Sequence, residues 1–281
     1  AAVAKLCLSC HQGDETRPIT HQIMGAGHPR LSFELDTFLA LEPPHYRIDD
    51  DWQERKGAYD SGKLWAMGQF IASENLLDLI GDPQRNSQGL MPEFMMFDCH
   101  ACHAPMDQQT WQKGMAAAPG QPRINDSSLL MVGAIVKSVL PGDYDQFKKQ
   151  VEALHTASTA NQTSMSSLVN TSRELKATVT RLRAKVAARS MTASNLQSVL
   201  GQIVSASSAN RYTDYAGAEQ AYMSISSVAN GLASKGSSIA SQVNPSLRRM
   251  IQILRDEDRY DRNAFQAELA RLNQMVGVNT R

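Results

Sequence analysis

At 281 residues the chain is long enough for two domains of ordinary size, each with a buried core. Its longest apolar stretch, Leu129 to Val139, is interrupted by Gly133 and Lys137 and falls short of the roughly 20 residues a membrane helix needs. That excludes a membrane span and predicts a soluble chain. The formal charge is zero but unevenly spread: residues 1–122 carry 9 Lys/Arg against 16 Asp/Glu, and residues 123–281 carry 19 against 12.

Other residue types divide at the same place. All 4 Cys, all 3 Trp and 6 of the 7 His precede residue 123, as do 9 of the 11 Pro, while the Ser/Thr/Ala-rich sequence follows it. This predicts a chemically specialised domain over 1–122 and a plain helical one over 123–281, with APGQPR (118–123) as the hinge.

The chain opens AAVAKLCLSCH, with no charged segment leading into an apolar one. A secretory leader is therefore expected to have been removed or never to have been present. CLSCH (7–11) is answered far along the chain by CHACH (99–103), so all four cysteines fall in two C-x-x-C-H motifs. On a helical turn, positions three and four apart share a face. Cys7, Cys10 and His11 can thus address one flat ligand, as can Cys99, Cys102 and His103. Two C-x-x-C pairs could also make a four-cysteine zinc site, but zinc chemistry gives no reason for a histidine directly after each pair. A redox dithiol would occur once, in a strand-turn-helix setting, and structural disulfides would leave both histidines idle. C-x-x-C-H is the attachment signature of haem c, and two of them predict two covalent haems, with His11 and His103 reaching iron.

Each iron then has a further axial position, whose occupant decides between electron transfer and reactivity. His21 lies in RPITHQIM, and His28 in GAGHPRLSFELDTFLALE (25–42). Pro29 suits the first position of a helix, and Leu31, Leu35, Phe38 and Leu39 would give that helix an apolar face. His28 at its start is therefore the first choice for a distal ligand. His45, in EPPHYRID, stands among prolines that stiffen its loop. His100, inside its own motif, is expected at the surface or near a propionate. Met24, Met91, Met95, Met96 and Met106 are alternatives, although methionine commonly fills cores. The three acids of RIDDDW read as a solvated turn rather than a calcium loop. LWAMGQFIASENLLDLI (64–80) reads as a helix ended by Gly81 and Pro83. Trp52, Trp65, Trp111, Tyr46, Phe94 and Phe97 are expected to pack against porphyrin.

Taken together, CLSCH, GAGHPRLSFEL, WAMGQ and FDCHACH resemble the multihaem c-type cytochrome domains of bacterial periplasmic and exported electron-transfer proteins, over about residues 5–140. The resemblance implies His11 and His103 as proximal ligands and His28 as a distal one, with His21 and His45 as the remaining candidates. It also implies a periplasmic or extracellular location, since haem c is attached outside the bacterial cytoplasm. The chain departs from larger members in having only two attachment sites.

From Asn125 on, helical period dominates. Leu168, Leu175, Val179, Leu182 and Val186 form a heptad-like seam. Further stripes follow: Leu196, Val199, Leu200 and Ile203; then Tyr215, Ala218, Tyr222, Ile225, Ala229 and Leu232; then Phe265, Leu269, Leu272 and Val276, with a shorter piece from Leu247 to Leu254 after Pro245. The fold class expected is mainly α: a loop-rich di-haem cytochrome c domain followed by an antiparallel helical bundle. The bundle offers no chemistry of its own, His155 being its sole histidine. Its Lys/Arg are dispersed, which argues against nucleic acid. They could instead meet the acidic first part, and the bundle could mediate a homo-oligomer.

The function expected is electron transfer between redox partner proteins, other cytochromes among them, through two haems with both axial positions filled. Its rivals are an oxidoreductase, peroxidase-like or acting on small nitrogen or sulfur compounds, with one open iron, and a haem-based sensor.

Overall fold

The computed structural model describes residues 2–14, 16–43, 45–86, 93–99, 103, 123–159, 165–205 and 212–278. Among them the chain forms thirteen α-helices. No strand is present among the described residues; the extended pairing there is an isolated bridge between Phe97 and Ile124. The mainly helical class is therefore as expected.

The core is built around α5 (Ser61–Ile80). Its apolar residues do not keep to one stripe: Trp65, Ala66, Met67, Phe70, Ile71, Leu77, Leu79 and Ile80 are all buried, and a helix apolar nearly all round belongs inside a protein. It packs against α9 (Met165–Ala187), α7 (Ser127–Val139) and α11 (Tyr215–Ala233). The α5–α11 approach is close because both helices present glycine: a Cβ on Gly231 would lie 3.3 Å from the Gly62 backbone nitrogen. The Trp65 indole N–H donates to Ser224 Oγ on α11 at 3.1 Å, so its polar atom is satisfied where its ring is fully buried. Trp65 is thus a core residue of the bundle.

Around this centre, α8 (Tyr144–Thr159) packs on α9, and α10 (Ala193–Ser205) on α7, α11 and α13 (Arg262–Val278). The predicted seams are buried as whole sets, apart from the half-buried Tyr222. The piece expected after Pro245 belongs instead to a longer helix, α12 (Ile239–Ile253), with Pro245 inside it. Proline there removes one main-chain donor. The stripe Ile239, Val243, Leu247 and Met250 stays buried on both sides of it, and burial at roughly 1.5–3 kcal/mol per large side chain outweighs that loss.

The compositional boundary at 122/123 is not a boundary of the core. One buried cluster runs from Ala4 and Leu8 through α5 to Val276. The acidic first part and basic second part meet through Arg183–Glu74 at 2.8 Å, Lys235–Asp60 at 3.1 Å and Lys176–Asp78. Arg123, placed in the predicted hinge, is itself buried and ion-paired. Residues 118–122 lie outside the described residues.

Four shorter helices flank the core: α1 (Ala2–His11), α2 (His21–Gly25), α3 (Leu35–Leu41) and α4 (Asp50–Lys56). A further turn, α6, spans Pro83–Asn86. The acids of RIDDDW start a helix, with Asp49 Oδ1 accepting from the Trp52 N–H at 2.9 Å, the usual N-cap arrangement. A second difference concerns the helix expected from Pro29. It begins at Leu35, because the Glu34 carboxylate takes the cap, accepting from the Asp36 and Thr37 N–H groups at 3.0 and 2.8 Å. His28 therefore follows a short helix rather than opening a long one.

Candidate functional site

The first motif lies on α1, as the helical-turn reading requires. Ala4 and Leu8 fix one side of this helix in the core. Cys7 is half-buried against that core, while Cys10 and His11 are exposed. Gly13, at φ +76°, turns the chain away directly after the motif; a Cβ there would strike the Arg17 carbonyl oxygen at 2.3 Å. The His11 ring stacks on Phe33, with centroids 4.7 Å apart and planes 13° apart. The next residue, Gln12, donates through Nε2 to the Phe33 carbonyl at 3.2 Å. Phe33 thus holds both the ring and the chain just beyond it.

His45 faces this site, its ring centroid 5.9 Å from that of His11. The loop that brings it there is braced by aromatic packing. Tyr46 stacks on Trp52 of α4 at 6.0 Å and 9°, and Trp52 meets Tyr59 edge-on at 6.4 Å. The Tyr59 hydroxyl donates to Asp36 Oδ1 of α3 at 3.0 Å.

The second motif is described at Cys99 and His103; Cys102 and His100 lie outside the described residues. The His103 N–H donates to the Cys99 carbonyl at 2.8 Å. The His103 ring centroid lies 5.9 Å from that of His21, the first residue of α2. Phe94 packs its edge against His21 at 5.4 Å and 72°.

Each histidine of a C-x-x-C-H motif is therefore brought against one of the remaining candidates. A metal that takes one nitrogen from each of two imidazoles at about 2.0–2.1 Å sets their centroids roughly 6 Å apart, and both pairs stand at 5.9 Å. His28, the first choice from sequence, is not in either pair. It is exposed, and its Nδ1–H donates to the Pro29 carbonyl at 2.7 Å. Of the methionines, Met96 is fully buried, and Met91 and Met106 lie outside the described residues. Among the described residues no three His, Cys, Asp or Glu side chains form a metal-holding group. The imidazoles come in twos, the number that axial ligation of a planar macrocycle uses, and the donor set fits haem iron.

The Cys7 and Cys99 thiols are not activated. Burial raises Cys7 and Cys99, and at Cys99 it outweighs the nearby Arg30 guanidinium. A redox dithiol needs the opposite shift. Arg30 is held by Glu219 at 3.0 Å and Glu257 at 3.3 Å and lies over the Tyr215 ring at 5.3 Å. A cleft of about 140 Å³ separates Phe33 and Gln12, beside the first site, from Met95, beside the second; Arg30 also lines it. Of the eight large apolar side chains that stand exposed among the described residues, five belong to the segments that carry or adjoin the candidate ligands: Val3 and Leu6 on α1, Ile23 on α2, Leu41 at the end of α3, and Phe94. Leu6 and Leu41 are 73% and 77% accessible.

Sequence reasoning missed a buried network beneath the second motif. The Arg123 guanidinium donates to Asp126 and Asp214, each at 2.7 Å, and to Thr213 Oγ1 at 2.9 Å. His155 Nε2–H donates to Asp126 at 2.9 Å. Arg123 also accepts the Asp98 N–H on its backbone carbonyl at 2.7 Å, tying the residue before Cys99 to the bundle. These groups are up to 91 positions apart. The sequence signal was limited to a lone histidine and scattered acids.

Comparison with known proteins leaves the reading on these residues alone: no family model matches the chain, and neither a curated protein nor a solved structure is similar to it.

Proposed function

We propose that the chain is a di-haem c-type cytochrome that passes electrons between redox partner proteins, other cytochromes among them, in the periplasm or outside the cell. In this reading Cys7 and Cys10 hold one haem by thioethers, with His11 and His45 as its axial ligands. Cys99 and Cys102 hold the other, with His103 and His21. The observation that carries the reading is the pairing of each motif histidine with a second imidazole at 5.9 Å, a spacing suited to one iron between them.

When bound, haem iron supplies a one-electron couple tuned by its axial ligands and surroundings. His11, His45, His103 and His21 would be the residues that hold the two irons, and the ring contacts of Phe33 with His11 and of Phe94 with His21 would orient those imidazoles. The exposed Leu6, Leu41, Ile23 and Phe94 give the macrocycle an apolar surface to lie against. Filled axial positions favour electron transfer over catalysis at iron or sensing. No helix among the described residues is long and apolar enough to cross a membrane.

The test is spectroscopic. The oxidised, matured protein should show two low-spin haems, and the reduced protein should be indifferent to carbon monoxide. A high-spin signal that shifts with added ligand would instead favour the oxidoreductase or the sensor. His21→Ala and His45→Ala should each open one iron, whereas His28→Ala should leave the spectrum unchanged.

A further inference from the structure

The two distal candidates are held in different ways, and the difference singles out one residue. His45 sits on a loop braced by three aromatic rings and a hydrogen bond to α3. His21 opens α2, a helix of five residues with no buried side chain. A helix so short does not sustain itself in water, and no apolar face docks this one to the core. Its own cap is a 3.3 Å bond from the Ile23 N–H to Thr20 Oγ1. The firmer tether comes from far along the chain: Glu93 Oε1 accepts the His21 N–H at 2.8 Å, across 72 positions.

Glu93 is well placed for this because its own segment is anchored. Its side chain also accepts the Met95 N–H at 3.4 Å, opening the helical turn at Phe94–Met96. Met96 and Phe97 are buried. The Asn125 N–H donates to the Met96 carbonyl at 2.9 Å, and the Asp98 N–H to the Arg123 carbonyl at 2.7 Å. The segment is thereby fixed to the bundle and runs on into the second motif. One carboxylate connects the chain that carries His103 to the peptide group of the histidine facing it. A hydrogen bond to a carboxylate is stronger than one between neutral groups, and α2 buries no side chain of its own.

We infer that Glu93 is a positioning residue: it holds His21 opposite His103 and so keeps the second iron's sixth position filled. This rests on the di-haem reading above. The experiment uses the full chain matured with haem, with Glu93→Ala, Glu93→Asp and Glu93→Gln variants. Denatured mass reports attachment, circular dichroism reports the bundle, and electron paramagnetic resonance with carbon monoxide binding reports the axial position.

Glu93→Ala should keep both haems and its helicity but convert one of two low-spin signals to high spin, with carbon monoxide binding at that iron alone. Added imidazole should restore low spin. Glu93→Asp, one methylene too short, should do the same in part, and it carries the test should Glu93→Ala not fold. Glu93→Gln keeps an acceptor oxygen and should remain low-spin. In the Glu93→Ala/His21→Ala double variant nothing further should be lost. Two attached haems that stay low-spin and closed to carbon monoxide in Glu93→Ala or Glu93→Asp overturn the inference and leave the di-haem reading standing. A wild-type chain without tetrapyrrole overturns both.

Discussion

Helix α9 buries eight side chains along one face, whereas α2, which presents His21, buries none. The same contrast runs through the molecule. The bundle is held by continuous apolar seams closed over α5, and its buried Arg123 is paired with Asp126 and Asp214. The segments bearing His21 and His45 rest on ring contacts, caps and single hydrogen bonds, while Leu6 of α1 and Leu41 of α3 stand in water. One region is complete in itself. The other is arranged as if a large apolar body were to be laid on it, and the experiments below separate the two.

The largest effect should come from the bundle's buried charges. Arg123→Met leaves Asp126 and Asp214 without their shared cation, and breaking a buried pair in this way costs about 3–5 kcal/mol. Urea unfolding should show that loss, and adding Asp126→Asn and Asp214→Asn should recover most of it. A loss under about 1 kcal/mol would mean that water already reaches the network.

The same network sets a pH dependence. Burial alone would raise the Asp126 carboxyl, but the Arg123 guanidinium and the His155 N–H outweigh it and hold Asp126 well below the usual carboxylate range. Its contribution to stability is present above the unfolded value of about 3.9 and is lost as pH falls further. Asp214 goes the other way. Burial, with repulsion from Asp98 and Asp126, pushes it up to about 6 against the pull of Arg123, as expected when three carboxylates share one guanidinium. Its contribution is present below about 3.9 and is lost as pH rises through about 6. Burial also raises Glu34 and Asp36, which adds to that decline. Unfolding free energy should therefore be highest near about pH 4 and fall toward about pH 6, with a slope approaching 1.4 kcal/mol per unit for each proton involved. Asp214→Asn should flatten the alkaline side and Asp126→Asn the acid side. A profile flat from pH 3 to 7 in the wild type would contradict both assignments.

A smaller loss is expected at Ser227→Ala, which removes the hydroxyl that donates to Glu34 Oε2 at 2.8 Å; the unfolding free energy from denaturant titration should fall by about 1 kcal/mol. The smallest belongs to the exposed histidines proposed as ligands. In the chain without haem, His21→Ala and His45→Ala should change unfolding free energy by no more than about 0.5 kcal/mol. A large loss there would show that those histidines serve the core rather than a cofactor.

How much could be read in advance follows the same division. The seams of α9, α10, α11 and α13 were legible because burial at helical period is a local pattern. The placement of Pro245 inside α12 was not, because tertiary burial overrode a local breaker. The helical turn implied by the first motif was legible, and α1 shows it. The partners of His11 and His103 were not, because loop bracing by Tyr46 and Trp52 and the reach of Glu93 select His45 and His21. His28 looked favoured through Pro29, and the Glu34 cap moved the helix start six residues past that proline. The Arg123 network was invisible because its members are scattered in sequence and converge only when α7, α8 and α11 pack.

The most direct measurement is the mass of the denatured chain, expressed with a haem c maturation system and freed of loose cofactor by acidified acetone. The account predicts the 30.9 kDa polypeptide plus two covalently bound haems, falling to one haem in Cys7→Ala/Cys10→Ala and likewise in Cys99→Ala/Cys102→Ala. A denatured chain at its bare sequence mass would contradict it.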